Sequence, residues 1–139
     1  MALSTIKPMS IQRNIKILNS CEDLFFDADP SDMDIMFNNL ISNAVKYNRD
    51  GGSVEVSACQ YGQKVEILVK DTGIGMSEAE VSQLFKEFVR IKNPRTRGIT
   101  GSGLGLSIVS KIAKLYGGHI QVKSVPEHGS EFRIILPAF

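Results

Sequence analysis

Apolar positions recur along this chain with two periods, and the switches between them mark its elements. Met33, Met36, Phe37, Leu40, Ile41 and Ala44 fall at i, i+3, i+4, i+7, i+8 and i+11, the stripe of an amphipathic helix. Asp29 suits its N-cap and Pro30 its first turn, while Asp32 complements the positive end of the helix dipole. The helix should run to about Tyr47, before Asp50-Gly51-Gly52 turns the chain into a hairpin. Residues 53–60 and 64–70 alternate as paired strands around Tyr61-Gly62-Gln63. Ser77, with Glu80 three residues on, forms a capping box for a short helix through Phe85. Residues 89–100 lack periodicity and predict a mobile loop. A second amphipathic helix starts at Ser102 or Gly103 and runs to about Tyr116, where Gly117-Gly118 stops it. Residues 119–124 and 130–136 predict a closing hairpin, and 14–18 and 24–27 two short strands. Residues 2–12 read as a short helix, with Pro8 tolerated only in its first turn. Helices and strands mix without strict βαβ alternation. The expected class is α+β, a two-layer α/β sandwich with helices on one face of a mixed sheet.

Composition narrows the setting. A chain of 139 residues is expected to be one domain, 1–139, able to bury roughly 70% of its unfolded surface. A net charge of +1 gives no bulk field to attract nucleic acid or anionic membrane, so a nucleic-acid partner is not expected. Cys21 and Cys59 have neither metal nor redox spacing and read as two buried thiols of a reducing compartment. No apolar run approaches the roughly 20 residues of a spanning helix, and residues 1–10 do not resemble a signal peptide. A cytoplasmic domain is expected, whose parent can still be membrane-anchored elsewhere.

Three separated stretches carry candidate chemistry. At about 100° per residue, Asn39, Asn43 and Lys46 lie within roughly 60° of one another on the first long helix, with Tyr47 beside them. An asparagine carbonyl is a hard oxygen ligand suited to Mg²⁺, and Lys46 would neutralise phosphate charge. Asn38 falls on another side and reads as surface. Asp71, at the end of a largely apolar strand, is an acceptor that would take the exocyclic amine of adenine and repel the carbonyl of guanine. Gly73 and Gly75 leave room for a flat base. Gly101, Gly103 and Gly105 surround a helix start, where bare N–H groups make an anion site. The loop before them carries Arg90, Lys92, Arg95 and Arg97 and reads as a lid over a triphosphate. Each piece alone has a plain structural reading: solvated asparagines, an Asp-Thr-Gly turn, a basic surface loop. Phe85 and Phe88 read as core or lid anchors, and His119 and His128 as structural.

Together these stretches resemble the catalytic, ATP-binding domain of sensor histidine kinases. Asn39-Leu40-Ile41-Ser42-Asn43-Ala44-Val45-Lys46-Tyr47 is similar to that family's N box, and Asp71-Thr72-Gly73-Ile74-Gly75-Met76 to its G1 box. Leu84-Phe85-Lys86-Glu87-Phe88-Val89-Arg90 is similar to the F box. Gly101-Ser102-Gly103-Leu104-Gly105-Leu106-Ser107-Ile108-Val109 is similar to the G2 box, and the stretch from Gly129 to Pro137 to the final strand. The resemblance implies about three helices on about five strands, with ATP and Mg²⁺ as cofactors. Asn43 matches the metal-ligating position, Asn39 and Lys46 match phosphate or metal-shell positions, and Asp71 matches the adenine reader. The remaining nucleotide contacts would come from Tyr47, Gly73, Ile74, Gly75, Met76, Phe88, Arg90, Arg95, Arg97, Gly101, Ser102, Gly103, Leu104, Gly105 and Leu106. The implied reaction moves the γ-phosphoryl group to a histidine on a helical dimerisation domain, and thence to a response regulator. No histidine-bearing helix precedes the boxes, so the chain reads as an excised, monomeric fragment. Asn48-Arg49-Asp50 stands where many members carry Thr-Pro and reads as a loop variation.

Relatives of the same fold that hydrolyse ATP, the gyrase-type topoisomerases, MutL proteins and heat-shock chaperones, carry an acid one turn before the metal asparagine. Here that place holds Asn39, an amide that takes no proton at neutral pH. Anti-sigma serine kinases remain a nearer alternative, and so does a nucleotide-binding interaction module without catalysis.

Overall fold

The computed structural model describes residues 15–21, 29–84 and 105–137. Five strands, β1 (Lys16–Cys21), β2 (Ser53–Tyr61), β3 (Lys64–Asp71), β4 (His119–Val125) and β5 (Gly129–Pro137), form one sheet in the order β1-β2-β3-β5-β4. β1 and β2 run parallel, joined through helix α1 (Pro30–Lys46), and the other pairs are antiparallel. The mixed sheet therefore matches the expectation. The helix expected over 2–12, the strand over 24–27 and the loop over 89–100 lie outside the described residues.

Register puts the apolar positions on one face. Val54, Val56 and Ala58 of β2 pair with Asp71, Val69 and Ile67 of β3, which pair in turn with Ser130, Phe132 and Ile134 of β5. All nine are buried. Because side chains alternate along a strand, the intervening residues face away from this core. On that outer face Arg133 reaches Glu66 at 3.2 Å and Glu131 at 3.6 Å. Cys59 lies there too, half-buried and without a disulfide, which corrects the expectation of two buried thiols.

Both long helices cover the inner face. α1 buries Met36, Leu40, Ile41, Ala44 and Val45 over β2 and β3. A short helix α2 (Glu78–Val81) ends four residues before the expected Phe85 and keeps its Ser77–Glu80 capping box. Helix α3 (Gly105–Leu115) buries Ser107, Val109, Ile112 and Ala113 and packs on α1, β4 and β5. Its end is a Schellman turn: Gly117, at φ 77°, donates to Lys114, and Gly118 donates to Ala113 at 2.8 Å. At the start of α1 the Asp29 carboxylate accepts the Ser31 N–H at 2.8 Å. Asp29→Ala should cost about 1 kcal/mol, read as a shift in the denaturant midpoint with an unchanged slope.

Candidate functional site

Strand β3 is apolar until its last residue, and the inward register then carries Asp71 into the core, where it is 6% exposed. Two backbone N–H groups, from Gly73 at 2.9 Å and Ser130 at 3.2 Å, both donate to Oδ1. The described residues give Oδ2 no donor. Burial raises the carboxyl from 3.8 to about 6, outweighing the lowering effect of the two N–H bonds. The second oxygen is thus a poorly solvated acceptor, well suited to a ligand N–H.

The turn after Asp71 is pinned from two sides. Toward α1, Ile74 N–H donates to the Tyr47 carbonyl at 3.0 Å. A Cβ on Gly73 would collide with that same carbonyl and lie 2.9 Å from Asp71 Oδ1, so the turn closes on the helix end only because Gly73 is bare. Toward the β4–β5 hairpin, Glu127 N–H donates to the Ile74 carbonyl at 2.7 Å and Met76 N–H to Ser124 Oγ at 2.8 Å. Gly75, at φ 66°, packs against the Val125 carbonyl, a position and a backbone angle that both exclude a side chain.

Asn39, Asn43, Lys46 and Tyr47 all lie on or just past α1 and are half-buried. Asn39 Nδ2 donates to the Ile35 carbonyl at 2.8 Å, which fixes the amide. Its Oδ1 faces the first residue of α3, and a Cβ on Gly105 would sit 2.9 Å from it. The structure therefore brings the helix of amides, the Asp71 turn and the start of α3 to one side of the sheet. Phe88, Arg90, Arg95, Arg97, Gly101, Ser102, Gly103 and Leu104 lie outside the described residues. Among the described residues no group of three His, Cys, Asp or Glu side chains is disposed to hold a metal ion. A divalent cation here would depend on amide and ligand oxygens.

Two expectations need correction. Asn38 is not a surface residue: it is half-buried, and its carbonyl oxygen is fully buried with no hydrogen-bond partner among the described residues. Asn48, in the turn after α1, is more than a loop variation: it is a brace, 4% exposed. It donates to the Ser53 carbonyl at 2.9 Å and accepts from Arg49 N–H at 2.9 Å and Thr72 Oγ1 at 3.2 Å. Thr72 Oγ1 in turn accepts Ser53 N–H at 2.9 Å, and Arg49 Nε donates to the Thr72 carbonyl at 2.8 Å. Sequence reading also missed Ser130 and Ser124, whose hydroxyls lie 2.7 Å apart beside Asp71. Their signal exists only once β5 is placed in register against β3.

Comparison with known proteins agrees with this arrangement. The model of the family described as histidine kinase-, DNA gyrase B-, and HSP90-like ATPase matches residues 28–139. The circadian input-output histidine kinase CikA of Synechococcus elongatus is 38% identical over 86% of this chain, which spans 16% of that protein. The sensor protein kinase WalK of Staphylococcus saprophyticus is 38% identical over 84% of this chain, which spans 19% of it. Among solved structures, the mycobacterial sensor histidine kinase MprB superposes with a TM-score of 0.84 at 26% identity, covering 99% of this chain and 93% of the other. Full-length ShkA in complex with AMPPNP gives the same score and identity, covering 99% of this chain and 28% of that one.

Proposed function

Because this chain belongs to the histidine kinase-, DNA gyrase B-, and HSP90-like ATPase family, we propose that residues 1–139 are the catalytic, ATP-binding domain of a sensor histidine kinase. The observation that carries the reading is the buried Asp71, with Oδ1 held by the backbone N–H groups of Gly73 and Ser130 and Oδ2 given no donor by the described residues. That acceptor fits the exocyclic amine of an adenine, while the room for a flat base expected at Gly73 and Gly75 is taken instead by the Tyr47 and Val125 carbonyls. AMPPNP in the ShkA complex supports the same choice of ligand.

Asn39 lies eight residues before Tyr47 on α1, about 12 Å along the axis, which suits an elongated nucleotide with its base at Asp71. Asn43 Oδ1 would ligate Mg²⁺, and Lys46 and Asn39 would hold phosphate oxygens. Bound Mg-ATP supplies the γ-phosphoryl group and a metal that spreads its charge. The protein's own part is to grip the base, orient the phosphate chain and keep the amide donors fixed. A histidine on a separate helical dimerisation domain takes the phosphoryl group, and a response regulator's aspartate receives it afterwards. Asn39 favours this reading over ATP hydrolysis: its amide is tied to the Ile35 carbonyl and has no lone pair basic enough to activate water. The domain is read as cytoplasmic and monomeric.

Calorimetric titration tests the reading directly. Mg-ATP should bind with a dissociation constant well below 1 mM, and an added histidine-bearing helical bundle should become phosphorylated. No binding heat at millimolar nucleotide would overturn the proposal. Binding without transfer to any such bundle would leave a regulatory nucleotide module instead.

A further inference from the structure

We propose that Ser124 is a positioning residue that ties the turn after Asp71 to the β4–β5 hairpin and so aims the Asp71 carboxylate at the base of the nucleotide. Asp71 is gripped from two sides. Its Oδ1 accepts one N–H from the turn, that of Gly73 at 2.9 Å, and one from the hairpin, that of Ser130 at 3.2 Å. The direction left to Oδ2 therefore depends on how turn and hairpin sit against each other. Ser124 Oγ spans them. It accepts the Met76 N–H at 2.8 Å, at the exit of the turn, and lies 3.1 Å from the Gly129 carbonyl and 2.7 Å from Ser130 Oγ. A hydroxyl offers one proton and two lone pairs. With its proton given to the Gly129 carbonyl, Ser124 accepts from both Met76 and the Ser130 hydroxyl, and its capacity is full.

The residues joined in this way are the neighbours of Asp71. Ser124, Ser130 and Asp71 form one rung across β4, β5 and β3. Gly129 packs so closely that a side chain there would collide with the Asp71 carbonyl. At the other end, Met76 follows Gly75, whose φ of 66° is a conformation that side-chain-bearing residues rarely adopt. A turn with glycines at 73 and 75 has little stiffness of its own. Its middle is held by backbone bonds of Ile74 to Tyr47 and Glu127. Its exit is tied to the hairpin through Ser124. Removing that hydroxyl leaves the Ile74 bonds in place but lets Met76 move relative to Gly129 and Ser130. The two donors on Oδ1 are then no longer held in one relation, and Oδ2 loses its fixed aim.

This inference rests on the nucleotide reading for its functional half, and the test separates the two. In Ser124→Ala, calorimetric titration should show Mg-ATP and Mg-ADP each bound about three- to tenfold more weakly, by one factor because both carry the base. The Met76 and Ser130 amides should exchange at least about fivefold faster, with those in the middle of α1 unchanged. Ser124→Thr and Ser124→Val add the same methyl and differ by the hydroxyl, and both residues suit a strand. The valine variant should bind ATP at least about threefold more weakly than the threonine variant. Unchanged affinity in Ser124→Ala, equal affinities of the threonine and valine variants, or weaker binding without faster exchange at Met76 and Ser130 would overturn the proposal. If the unaltered chain bound no adenine nucleotide, the preceding reading and the aiming role would both fall, while the exchange pattern would still decide whether Ser124 ties the turn to the hairpin.

Discussion

Asp71→Asn is expected to weaken adenine nucleotide binding about 5- to 150-fold while making the empty protein more stable at pH 8. The two effects share one cause. Folded, the carboxyl takes up its proton near pH 6, and in the unfolded chain near 3.8. Between those values the folded state binds the more protons, so its stability falls as pH rises through the window. Above it the buried charge costs about 3 kcal/mol. Asparagine keeps an oxygen for the N–H groups of Gly73 and Ser130 and carries no charge, so it removes that cost at pH 8 and changes little at pH 4. Its other terminus is an NH₂, which meets the adenine amine donor to donor and forfeits about 1–3 kcal/mol of binding. Denaturant unfolding at both pH values, with calorimetric titration at pH 8, checks both signs. In the unaltered protein, nucleotide affinity should also decline as pH falls through about 6. An unchanged dissociation constant in the variant would remove Asp71 from the site.

Asn43→Ala is expected to abolish the Mg²⁺ dependence of ATP binding and to lower phosphotransfer at least about 100-fold, the scale of losing one preorganised charge-stabilising group. The fold should survive. Asn43 is half-buried on α1, its backbone carbonyl still accepts the Tyr47 N–H at 3.0 Å, and alanine is the better helix former. Titration with and without the metal, beside a far-ultraviolet melt, separates the two consequences. A metal effect that persists in the variant would reassign the ligand.

The main elements were legible because each rests on local physics. The α1 stripe, the Asp29 cap, the Ser77–Glu80 box and the glycine stop after Tyr116 depend on residues within a few positions of one another, and all appear as expected. The grouping of Asn39, Asn43 and Lys46 followed from helical periodicity alone. What escaped was made by tertiary register. Nothing near Ser130 announces that its N–H will meet a carboxylate 59 positions earlier, and nothing near Ser124 announces Met76, 48 positions away. The burial of Asn38 and the bracing role of Asn48 escaped for a similar reason. Asn38 lies within the helical pattern and Asn48 just past its end, but burial of an amide is decided by what packs over it in the fold.

The brace at Asn48 has an implication for how pockets of this kind diverge. Its side chain joins the exit of α1 to Thr72, the first residue of the turn after Asp71, and to Ser53, which opens the neighbouring strand β2. A polar residue of another length at this one position would tilt that turn without altering any group that meets the nucleotide. Two paralogues with identical contact residues can therefore differ in affinity, and an inhibitor fitted to one can discriminate against the other, through a side chain that never touches it.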